Sequence, residues 1–101
     1  MHEEKDIRMK FRKIPVLVDA MQWRKFGDLK AVDHYRHPKG NGNRTCPVCD
    51  LPMVTHGWIL GLDGGHRVCP GDWVVTGVNG EHYPVKPKIF ETTYEPEPSA
   101  L

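Results

Sequence analysis

Residues 46–96, CPVCDLPMVTHGWILGLDGGHRVCPGDWVVTGVNGEHYPVKPKIFETTYEP, hold all three cysteines and half of the six histidines. Two turn signals divide the stretch. Asp63-Gly64 and Asn79-Gly80 are dipeptides that tolerate the positive φ of a tight hairpin, and each is flanked by runs rich in valine, isoleucine, tryptophan and threonine. The first hairpin is expected from strands Val54–Leu60 and Arg67–Trp73, with Trp58 opposite Cys69, Leu60 opposite Arg67 and Gly61 opposite His66. The second is expected from Trp73–Thr76 and Glu81–Val85 through a two-residue type I′ turn. Between them Pro70-Gly71-Asp72 reads as a bend. Pro87 opens a short helix over PKIFETT, at the first position, where its missing N–H costs nothing.

Outward from this stretch, IPVLVDAMQW (residues 14–23) alternates with a period of two and predicts an N-terminal strand; Pro15 suits its start. DLKAVDHYRH (residues 28–37) places Leu29, Val32, Tyr35 and Arg36 at helical spacing, with Asp28 as the N-cap and Pro38 as the stop. HPKGNGNRT reads as an exposed loop leading into Cys46. The fold class is therefore α+β: a small, strand-rich antiparallel sheet of two consecutive hairpins plus an N-terminal strand, with one or two short helices and a zinc knuckle. Residues 1–10 read as a flexible arm, 11–96 as one zinc-stabilised domain and 97–101 as a frayed tail.

Composition narrows the function classes. A chain of 101 residues has room for one modest core. Its longest apolar runs fall far short of the ~18 residues of a membrane span, and MHEEKDIRMKFRK lacks the apolar segment of a secretory signal, so a soluble cytoplasmic protein without a membrane partner is expected. Residues 1–44 carry 11 Lys and Arg against 6 acids, and residues 45–101 carry 3 against 7, so the halves are +5 and −4. That asymmetry fits either two attracting surfaces of one domain or a basic face for nucleic acid built from residues 5–13, Arg24, Lys25 and Lys30.

Three thiols cannot close a disulfide framework, and Cys46-Pro47-Val48-Cys49 has the spacing of a knuckle that binds one zinc ion at ~2.3 Å. Two further ligands must come from His34, His37, His56, His66 or Cys69. In the expected register His56 and Cys69 are diagonal neighbours on one face, whereas His66 points to the other. The zinc ligands are thus expected to be Cys46, Cys49, His56 and Cys69, in a closed structural site. A one-residue slip would bring in His66 instead. The histidine motifs of zinc proteases and base deaminases are absent. Neither glycine cluster has phosphate-loop spacing. A thiol–base pair among Cys69, His66 and His82 lacks an orienting acid, which leaves a small hydrolase the weakest alternative. Trp23, Trp58 and Trp73 are read as core. The most site-like polar set is Tyr83, His82, Lys86 and Lys88, which could hold a phosphate or nucleotide.

The C-terminal pattern PGDWVVTGVNGEHYPVKPKIFETTYEP resembles a family of small tailed-bacteriophage proteins ending in PGDW, GV-x-GE-x-YP-x-KP-x-x-F and TYEP. FRKIPVLVDAMQW looks like that family's first strand, and the CPxC and HGW insertion looks like its actinobacterial-phage members. The likeness covers about residues 11–96. Val85 stands where cysteine is frequent and Lys88 where aspartate is frequent, so no role resting on either is carried over. The resemblance implies expression in the infected host's cytoplasm and an accessory, host-directed role, with no family-wide activity. The expected function is a non-catalytic, homo-oligomeric anti-defence protein that sequesters a ligand such as a signalling nucleotide or blocks a host protein; the alternative is a nucleic-acid-binding regulator.

Overall fold

The computed structural model describes residues 7–12 and 14–97; the expected tail lies outside the described residues except for Glu97, as do residues 1–6 of the expected arm. The chain is α+β and strand-rich, with two three-stranded antiparallel sheets and one α-helix among the described residues. The first sheet has the order β1 (Asp19–Gln22), β5 (Trp73–Thr76), β6 (His82–Val85). The second has β2 (Asp33–His34), β3 (Gly57–Gly61) and β4 (Gly64–Val68), in that order. The helix α1 (Pro87–Thr93) begins with proline as expected.

The N-terminal strand is shorter than its alternating pattern. Only Asp19 to Gln22 pair with β5, which ends at Thr76 where the chain enters the hairpin loop. Ile14, Val16 and Leu17 are left exposed. The second hairpin also differs from the two-residue turn. Gly77 pairs with Glu81, the Gly80 N–H returns to the Gly77 carbonyl at 3.0 Å, and Gly80 alone has positive φ, at 78°. This is a three-residue loop of type I turn plus bulge, which needs positive φ only at its last residue.

The first hairpin closes through a two-residue turn, Leu62-Asp63, so Trp58 faces Arg67, Ile59 faces His66 and Gly61 faces Gly64. The partner of each residue is shifted by two positions from the expected register. Because side chains alternate with a period of two, the shift preserves every face. Ahead of β3, residues Met53–Thr55 form a 3₁₀ turn rather than strand.

The helix expected over residues 28–37 is absent. Asp28 does not cap a helix ahead of it; Oδ2 accepts the N–H groups of Arg24 at 3.0 Å and Lys25 at 3.1 Å behind it. A single turn from Leu29 to Val32 follows, and then Asp33 and His34 join β3 as an edge strand. The apolar spacing was a core signal all the same, since Val32 is buried and Leu29 packs against the cluster of Trp23, Ile59, Val68 and Val74. A helix of that length is marginal without tertiary support, and pairing with β3 wins.

Of the three tryptophans, only Trp23 is fully buried. Trp73 is half-buried and stacks on Phe90 of α1 with ring centroids 4.2 Å apart. Trp58 lies on the outer face of the second sheet with 36% of its surface exposed, so the expectation that all three fill the core fails there.

Candidate metal centre and its surroundings

Cys46 and Cys49 sit in a tight loop whose backbone folds around its own first sulfur. The Cys46 carbonyl accepts the Asp50 N–H at 2.8 Å, Cys46 donates to the Leu51 carbonyl at 2.9 Å, and the Val48 N–H points at Cys46 Sγ at 3.4 Å. Asp50 takes positive φ, 64°, to complete the reversal, a conformation that aspartate tolerates better than most residues. A bridge between Thr45 and Pro52 closes the loop's neck.

His56 follows the 3₁₀ turn. Its Nδ1 donates to the Pro52 carbonyl at 2.9 Å, which fixes the tautomer and leaves Nε2 free as a donor to a metal. Nε2 lies 3.1 Å from Cys49 Sγ. Cys69 arrives from the end of β4, and its sulfur is 3.8 Å from Cys46 Sγ. With metal–sulfur bonds of ~2.3 Å, two sulfurs at the corners of a tetrahedron are about 3.8 Å apart. The four donor atoms all lie within 4.8 Å of one another, and Cys46, His56 and Cys69 are buried. Cys46, Cys49, His56 and Cys69 therefore form a cluster that can hold a metal ion, with a donor set compatible with a zinc knuckle.

The electrostatics divide the thiols. Burial works against a thiolate at Cys46, but the backbone around Cys49 and Val48 and the neighbouring Cys69 and Cys49 side chains outweigh it, and the thiol lies below its ordinary value. Burial dominates at Cys69 and pushes it up to about 11; Lys86 pulls the other way while Asp72 adds to the rise. Burial also lowers the His56 pKa, which keeps the imidazole neutral and able to ligate.

Asp72 is the residue that the sequence reading passed over. Cys69-Pro70-Gly71-Asp72 is a turn with proline second and Gly71 at φ 97°, closed by the Asp72 N–H on the Cys69 carbonyl at 3.0 Å. The Asp72 carboxylate is buried; it accepts the Cys69 N–H at 2.9 Å and pairs with Lys86 Nζ. An acidic residue after Pro-Gly, next to a cysteine, was the available signal.

The expected ligand set does not converge. Lys86 is committed to Asp72 beside the thiols, His82 Nδ1 lies 3.0 Å from Thr76 Oγ1, and the Tyr83 hydroxyl lies 3.3 Å from that of Tyr94. Tyr83 and His82, adjacent on β6, face opposite sides of the strand. Lys88 is exposed on α1. His66 points away from the cluster and bonds Asp63 at 3.0 Å, and His37 Nδ1 accepts the Lys39 N–H at 3.0 Å, so neither replaces His56. An open cavity lies elsewhere, beside residues 33–38 and Trp58, where Tyr35 and Trp58 meet.

Among the described residues no helix is long and apolar enough to cross a membrane. No family model, no curated protein and no solved structure matches this chain.

Proposed function

We propose that the chain is a non-catalytic binding module pinned by one structural zinc ion, and that it serves a bacteriophage as an accessory protein in the infected cell by sequestering a small ligand. The closed four-donor cluster carries the non-catalytic part. A catalytic zinc keeps one coordination position for water or substrate, whereas a fourth protein donor stands at that position here, with Cys46 and His56 fully buried. The open cavity beside β2 and β3 supports a small ligand. The phage origin and the host cytoplasm rest on the resemblance of residues 11–96 alone.

A second reading, capture of a host protein, is favoured by one observation: Phe11, Ile14 and Leu17 are exposed in a row along the chain leading to β1. Native mass spectrometry of protein purified from host cells, before and after denaturation, tests both. One zinc per chain, lost on denaturation, and a co-purified small molecule are expected. If no metal is found and chelators leave the melting temperature unchanged, the zinc assignment fails; a co-purified protein in place of a small molecule moves the function to the second reading.

A further inference from the structure

We infer that the cavity beside residues 33–38 and Trp58 binds a phosphate-bearing nucleobase, stacked on Trp58 with its phosphate held by Arg36. The inference deepens the small-ligand reading above and rests on it only for the role of Tyr35, which packs against the cysteine cluster and forms one wall of the cavity.

The cavity is open, about 660 Å³, and lined by Asp33, His34, Tyr35, Arg36, Pro38 and Trp58. Two features give it a chemical preference. Trp58 and Tyr35 present rings 5.8 Å apart, inclined at 54°. Their relative placement is fixed from below. The Trp58 indole lies over Gly65, where a Cβ would overlap its Cζ2 and Nε1, and the Tyr35 N–H bonds the His56 carbonyl at 3.0 Å. Exposed aromatic faces held rigidly in a concave site suit a flat π-ligand, and every nucleobase offers one.

The second feature is charge. The side chains of Asp33 and Arg36 have no hydrogen-bond or ion-pair partner among the described residues. Asp33, Trp58 and Arg67 form one row across the three strands, so Arg67 flanks the indole on the side away from Asp33. Among the lining residues Arg36 is the one guanidinium and Asp33 the one carboxylate, with Arg67 outside the lining beside the indole; guanidinium is the side chain suited to phosphate. Asp33 can accept amino hydrogens from a base edge. A free nucleotide and a single-stranded nucleic acid share this chemistry.

The test titrates the metal-loaded full chain with adenosine monophosphate, ATP and a short oligothymidylate, with inorganic phosphate as a control. Binding is followed by calorimetry, and metal content is measured on every sample. Saturable, salt-sensitive binding is expected, weakened roughly tenfold or more by Trp58→Ala and by Arg36→Ala. Trp58→Phe should retain most of the affinity, and Lys88→Ala all of it. Arg36 is exposed, so its variant folds as the parent and separates loss of binding from loss of structure. Equal affinity for mononucleotide and oligonucleotide assigns a free nucleotide; tighter binding of the oligonucleotide with a steeper salt slope assigns a single strand. If the metal-loaded chain binds none of the probes, or if both alanine variants bind as the parent does, the inference is overturned while the metal assignment stands. Binding that follows Trp58 and Arg36 in a chain without metal upholds the inference and removes the zinc.

Discussion

Lys86 Nζ lies 3.0 Å from both carboxylate oxygens of Asp72. One of those oxygens also accepts the backbone N–H of Cys69, so the ion pair ties the start of α1 to a cysteine of the metal cluster. The two partners are unequal: 3% of the Asp72 side chain is exposed against 39% for Lys86. Removing the ammonium strands a buried carboxylate, whereas neutralising the carboxylate leaves an ammonium that can reach water. Lys86→Met is therefore expected to destabilise by about 1–3 kcal/mol, at the low end because solvent already screens the lysine. Asp72→Asn, which keeps an acceptor for Cys69, costs less. The double variant should lie closer to the parent than Lys86→Met does, a coupling readable in a thermal double-mutant cycle. Strict additivity would show that the pair is only a surface contact.

Gly57 makes the second sheet's inner face possible. A Cβ there would overlap Val32 Cγ1 and come within 3.2 Å of the Trp23 ring, both in the buried core. Neither side chain has room to yield, so Gly57→Ala is expected to cost about 1–3 kcal/mol by overpacking. Gly57→Ala with Val32→Ala should recover part of that loss in a denaturant titration. If Gly57→Ala melts with the parent, β3 does not pack on Trp23 as described.

Acid should release the metal. Protons compete with a bound metal for three thiolates and a neutral imidazole, so apparent affinity falls steeply with falling pH. A chromogenic chelator added across a pH series is expected to capture metal cooperatively with loss of the native fold near Cys46. His56→Ala, which removes one of four donors, should shift release to higher pH. Release that is indifferent to His56 would mean the imidazole is not a ligand.

The cluster was legible in the sequence because its geometry depends on face rather than on register. The turn falls at Leu62-Asp63, one position before the expected Asp63-Gly64, which shifts every partner by two, yet His56 and Cys69 keep the same side. The C-terminal helix was legible because Pro87 marks its start by covalent structure. Residues 28–37 misled for the opposite reason. Leu29 and Val32 at helical spacing are also what a turn needs to drop two side chains into a core, and only the availability of β3's edge decides between them. Lys86 was picked out as a ligand-binding cation because its partner, Asp72, is close only after the Cys69–Asp72 turn has formed.

The Tyr83 hydroxyl faces that of Tyr94 at 3.3 Å, and this contact, with burial second, pushes the Tyr83 pKa up to about 12 from an ordinary value of 10.0. A phenol whose pKa is higher in the folded chain binds its proton more tightly there. Its contribution to stability is fully present below pH 10 and is lost as pH rises from about 10 to about 12. Phenolate absorbance is expected to show Tyr83 titrating later than an ordinary tyrosine, with the melting temperature falling over the same interval. Tyr94→Phe removes the neighbouring hydroxyl and should bring the Tyr83 titration back toward its ordinary value while flattening the alkaline loss of stability. The Phe90 stack, with centroids 4.8 Å from Tyr94, does not depend on the hydroxyl, so the variant keeps its packing on α1. An unchanged titration curve in Tyr94→Phe would leave burial, not the hydroxyl contact, as the cause of the shift.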